Sequence, residues 1–447
     1  MPLAFLIGFG ALLLGAAAIA NGAPLLFPDS FAYLEDGERL VRGLAPHNTR
    51  PPFYGAAIWP LHAEQRLWPI VAAQAFAVAH LAWLTLRSIG LGASAARSLG
   101  VIAVLALATP VGWYVAHVMP DIFAGILVLA LFLLGACRDR LSRGETAYLL
   151  LLATAATSFH LSHLPLAAII AVAGLLAHRA CPPLRPLVRR DLLIAPTLLA
   201  MAMLALPALL QPGATAKSPP FLLARLIADG PGRAYLETTC PSRTFALCRH
   251  LDRLPPSAEE FLWYFLAPLE ATDHAAIRAE ANTVILGTIG MFPVEVARNA
   301  ALATLRQLIS IRSVSEFDPD DVAAIGQRHP YAARSIAGGL QASGDLSEAA
   351  LLGWNRFHAA AALLMVAVGL RAMLTRRNHD RRATLLVATI LLALLSNAAV
   401  TGAISGVHGR YQGRLIWLLP FAALACAIPR RAPAQPPPGS PRSAPPE

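Results

Sequence analysis

The chain has 447 residues, 56% of them hydrophobic and 14% charged, with a mean hydropathy of +0.55. That composition excludes an ordinary soluble globular protein and marks a polytopic membrane protein. A net charge of +10 would suggest nucleic acid in a soluble chain, but here the arginines fall between apolar runs, where they orient helices against a membrane, so no nucleic-acid partner is expected.

A helix needs about 20 apolar residues to cross the hydrocarbon core. On that length the expected fold class is an all-α polytopic membrane protein with about ten transmembrane helices, over residues 3–20, 67–86, 98–116, 121–136, 146–160, 164–178, 192–210, 353–370, 383–401 and 414–428. The first stretch has small residues suited to signal cleavage in AAAIANGAP, but it lacks a basic n-region, and a retained helix is expected.

Arginines gather at 87 and 97, 138–143, 179–190, 371–382 and 430–442, which puts those connections and both termini on the cytoplasmic side of the cell (inner) membrane. The turns at 117–120 and 160–163 carry no Lys or Arg and fall outside, as do the loop 21–66 and the long segment 211–352. The chain thus divides into a module of seven spans over 1–210, an extracytoplasmic loop domain over 211–352, three spans over 353–428, and a proline-rich tail over 429–447 that should be disordered.

In the first outer loop, PDSFAYLEDGERLVRGLAPHNTRPPFY, Phe31, Leu34, Leu40 and Val41 are placed for a short amphipathic helix in the interface. Either Asp29 or Ser30 caps it, or Asp29 serves as a chemical group. Asp121, in HVMPDIFAG, poses the same choice at the start of the fourth span. Two carboxylates on one aqueous face can abstract a proton or hold a divalent cation such as Mg or Mn through oxygen ligands, and His117 lies one turn from Asp121. His160 and His163, in SFHLSHLP, are a weak metal pattern; they read as polar turn residues or phosphate contacts.

Cys240 and Cys248 lie close together in a region placed outside the cytoplasm, where they are expected to close a small disulfide loop; two free thiols are the alternative. The following PVEVARNAALATLRQLIS starts a helix at Pro293, with Val294, Ala301, Leu305 and Leu308 at helical spacing. The last outer loop, GVHGRYQGRLIW, holds His408, Arg410, Tyr411 and Arg414 beside the final span. Outer arginines run against the positive-inside trend and call for an anionic partner; a guanidinium fork suits either a substrate phosphate or a lipid head group. Arg50 in the first loop raises the same question.

Taken together, Asp29 with Tyr33, Arg50-Pro51-Pro52, Asp121 at the fourth span and Arg410-Tyr411 before a late one resemble the GT-C superfamily of integral-membrane glycosyltransferases. The resemblance covers the layout of the chain and rests on short motifs. It lacks a sequon-recognition signature and a large soluble domain after the last span. It implies transfer of a sugar from a polyprenyl-phosphate carrier to a lipid, glycan or protein on the outer face, with membrane lipids as the surroundings. Asp29 would be the base, Asp121 would orient the acceptor or a metal, and Arg410 with Arg414 or Arg50 would neutralise the departing phosphate. A transporter for a lipid-linked saccharide and a non-catalytic subunit of envelope assembly are the alternatives; transporters tend to show internal repeats, and none is seen here.

Overall fold

The run IFAGILVLALFLLGA is apolar on every face, and a helix of that kind is stable only when surrounded. In a computed structural model describing residues 2–44, 50–92, 94–210, 219–312, 319–375 and 381–429, this run forms the central helix α8. Helices α1 (Leu3–Leu14), α2 (Ala16–Asn21), α3 (Pro28–Val41), α4 (Phe53–His62), α5 (Trp68–Ser88), α6 (Ala95–Ala108) and α7 (Val111–Ala116) precede α8 (Ile122–Ala136). All of its residues but Phe123 are buried. It is enclosed by α5, α9 (Arg143–Phe159), α10 (His163–Ala180) and α11 (Arg190–Leu210), and from the far end of the chain by α20 (Arg381–Val400) and α21 (Gly409–Ile416).

Between these two groups lie α12 (Phe221–Ala228), α13 (Pro231–Thr239), α14 (Ala271–Met291), α15 (Pro293–Ile309), α16 (Pro319–Arg328), α17 (Pro330–Ile336) and α18 (Leu340–Ser343). Helix α19 (Glu348–Thr375) and α22 (Leu418–Ala427) pack against each other. Among the described residues the fold is all-α, with one isolated parallel backbone bridge between Leu25 and His117.

Four of the described helices are long and apolar enough to cross a membrane: Trp68–Ser88, His163–Ala180, Glu348–Thr375 and Arg381–Ser405. The expected count of about ten is not met by length. The stretch 98–116 breaks at Thr109-Pro110, since Pro110 has no amide to continue the ladder, and α7 restarts beyond it. The stretch 3–20 is interrupted at Gly15, and 414–428 is divided at Trp417 between α21 and α22. Hydropathy averaged over a window does not register such breaks. The proline-rich tail from 430 lies outside the described residues.

The helix expected over 28–41 forms, but its buried residues are Ser30, Tyr33, Leu34, Asp36 and Gly37, while Leu40 and Val41 are exposed. The reason is its packing on α4. A Cβ at Gly37 would stand 2.4 Å from the Gly55 carbonyl oxygen, and one at Gly55 would stand 2.3 Å from that of Tyr33. The helices therefore cross backbone to backbone, which only glycine permits. Helix α15 starts at Pro293 as expected, yet Val294 and Leu305 are exposed and its buried side is Ala303 and Gln307, set against the backbone near Gly402. Cys240 and Cys248 are joined by a disulfide beside a small apolar core that includes Leu223, Tyr235, Phe261 and Ile277.

Candidate functional site

The site is built on that single bridge. The Leu25 amide donates to the Ala116 carbonyl at 2.9 Å, and the Val118 amide donates to the Leu25 carbonyl at 2.9 Å. Asp29 follows Leu25 by the same interval at which Asp121 follows His117, so one backbone contact sets both acids in register. The bridge is secured from α5: the Gln74 amide donates to the Val115 and His117 carbonyls at 2.8 and 2.9 Å, and the Tyr54 hydroxyl donates to its Oε1 at 3.0 Å.

Neither acid caps its helix. The Phe27 amide is taken by Ser30 Oγ at 3.0 Å, and Asp121, at the head of α8, accepts no capping bond. Both carboxylates turn instead to arginines. Arg50 and Arg410 reach Asp29, Arg410 at 3.3 Å, and Arg410 Nε lies 3.9 Å from Asp121. Arg414, 0% exposed, lies 3.4 Å from Asp121 and donates to Ser162 Oγ and Asn397 Oδ1, both at 2.8 Å.

Arg410 also stacks 4.1 Å over the Phe27 ring, and both Arg410 and Arg414 face the Tyr411 ring, at 5.4 and 5.3 Å. Arg50 lies 6.0 Å over the ring of Tyr33, one helical turn after Asp29. Three guanidinium groups thus meet two carboxylates, leaving surplus positive charge. Tyr33 Oη, Arg410 Nη1, Arg414 Nε and His163 Nε2 are buried with no hydrogen-bond partner among the described residues. Each such atom costs about 1–3 kcal/mol unless something fills it.

The sequence candidates therefore converge unevenly. Asp29, Tyr33, Arg50, Asp121, Arg410, Tyr411 and Arg414 form one cluster. His117 flanks it, with Nδ1 on the Trp113 carbonyl at 2.7 Å, and burial pushes its pKa down to about 4, so at neutral pH it adds no charge. His163 binds the Ala156 carbonyl at 2.7 Å and its ring lies tilted against that of His160 with centroids 5.3 Å apart, while His160 shares a 2.8 Å bond with Ser162. His408 packs edge-on against Tyr411.

A divalent cation does not fit this arrangement. No group of three His, Cys, Asp or Glu side chains is assembled among the described residues, and the carboxylates that would ligate the ion already face guanidinium groups. Asp121, 2% exposed, faces Arg410 and Arg414.

Sequence reading missed the neutral members. Asn397 and Ser162 complete the shell of Arg414, and Gln74 holds the bridge. Gln341 accepts from the Leu26 amide at 2.9 Å and donates to the Leu26 carbonyl at 2.8 Å. Gln307 does the same for His408, at 2.8 Å in both directions. A single amide within an apolar helix leaves no distinctive pattern, so no sequence signal marked them. No protein-family model, curated protein or solved structure matches the chain.

Proposed function

We propose that this chain is an integral-membrane glycosyltransferase of GT-C type, taking a sugar from a polyprenyl-phosphate carrier at the outer face. In this reading the shorter and broken apolar helices are embedded beside the four long ones, giving about ten membrane segments, with both termini in the cytoplasm. The observation that carries the proposal is Arg410: it links two carboxylates that cap nothing, and its buried Nη1 has no hydrogen-bond partner among the described residues.

Chemically, the cluster suits a phosphate leaving group. The donor phosphate competes with Asp29 for Arg50 and Arg410, and drawing these arginines onto its oxygens frees the carboxylate. Asp29 then accepts the proton of the acceptor hydroxyl as that oxygen attacks the anomeric carbon. The bond from that carbon to the phosphate oxygen breaks, and the charge growing there is met by guanidinium groups already in place. Asp121 keeps Arg410 and Arg414 oriented without entering the reaction.

The test is Asp29→Asn in purified protein, assayed with polyprenyl-phosphate-linked sugars in liposomes. We expect correct insertion and a loss of transfer of at least about a hundredfold, the scale of a missing general base. Transfer at the native rate would remove the assignment. A transporter would instead move the lipid-linked saccharide across the bilayer without consuming it, which the same liposomes detect.

A further inference from the structure

We infer that Gln307 and Gln341 are positioning residues that clamp the two segments carrying Arg410 and Asp29, an inference that rests on the proposed active site. The two side chains act alike. Each primary amide satisfies both the N–H and the C=O of one residue, as a neighbouring strand would. Gln341, in α18, grips Leu26, and its backbone N–H donates to Asn21 Oδ1 at 2.9 Å. Gln307, near the end of α15, grips His408. Leu26 lies just ahead of Asp29, and His408 just ahead of Arg410.

Both glutamines are buried, Gln307 completely, so neither is a surface contact of convenience. Both come from the long segment between α11 and α19, which contributes no charged side chain to the Asp29 and Arg410 contacts described above. That segment adds a further tie. The Arg312 amide donates to the Gly409 carbonyl at 3.1 Å, and the Tyr114 hydroxyl stands 3.0 Å from the Arg312 carbonyl and 2.9 Å from that of Arg410. The spacing between acid and arginine is thereby set from outside the pair, by neutral groups that do not compete for its charge.

If the clamp is one device, loosening either end must reach the other through the Asp29–Arg410 contact. Gln307→Leu and Gln341→Leu keep volume and remove both hydrogen bonds. In nanodiscs, hydrogen exchange is followed in peptides covering residues 24–30 and 405–412. Each variant should speed exchange in both peptides, on the order of tenfold for the segment it grips. In sugar transfer, kcat should fall by about tenfold with KM for the donor changed less than about threefold, and the double variant should be no worse than the poorer single one.

Faster exchange confined to the segment each glutamine touches would overturn the clamp, whatever the activity. So would additive losses of kcat. If a leucine variant fails to fold, Gln→Glu at the same position serves, since it keeps the acceptor and loses the donor. Coupled exchange together with full transfer by Asp29→Asn would leave the clamp standing and remove the glycosyltransferase reading instead.

Discussion

The two ends of α8 carry ion pairs of different kinds. At the Cys137 end Arg382 meets Asp139 at 2.5 Å, with Arg140 3.7 Å from the same carboxylate, and Arg87 takes both oxygens of Glu145 at 2.7 and 2.9 Å; Asp139 is 60% and Arg140 52% exposed. At the Asp121 end three arginines share two buried or half-buried carboxylates, and donors are left over. Pairs that only hold a fold together tend to sit near water, where they contribute little. A buried cluster with unfilled donors costs stability and suits a place kept for an anion.

The comparison is sharpest at Arg414. Replacing it with methionine leaves Asp121 buried without its nearest cation, and thermal unfolding in detergent should show a loss of about 3–5 kcal/mol. An unchanged unfolding temperature would mean that the two ends are equivalent after all. A smaller effect should come from His117. Its folded pKa, about 4, lies below the ordinary 6.5 because of burial. Between those values the unfolded chain binds more protons, so the contribution of His117 is complete above pH 6.5 and is lost as pH falls toward and through 4. His117→Gln should flatten that part of the stability profile, and an unchanged acid slope would contradict it. Smallest of all is Asp139→Ala, which should cost under about 1 kcal/mol and leave the proposed sugar transfer unchanged.

The charged half of the site was legible because ionisable groups are costly near a membrane and stand out in an apolar chain. Asp29, Asp121 and Arg410 could be named without coordinates. Their pairing could not: Asp121 faces two arginines, and the carboxylate pair does not fit a metal. The neutral half was illegible for a different reason. Gln341 and Leu26 are separated by 315 positions, and Gln307 and His408 by 101, so nothing local announces either contact. The fold was read well where single helices were continuous and poorly where Thr109-Pro110, Gly15 or Trp417 divides a run whose average hydropathy is unbroken. The crossing of α3 on α4 depended on Gly37 and Gly55 meeting, which is a property of the pair.

The contact between Asp121 and Arg414 also constrains how the protein is made. The two residues are 293 positions apart, so the ribosome delivers the acid long before its counter-ion. In the proposed membrane-embedded reading, the head of α8 carries a carboxylate without its arginines until α21 is made, so a chain truncated before residue 414 should seat α8 incompletely.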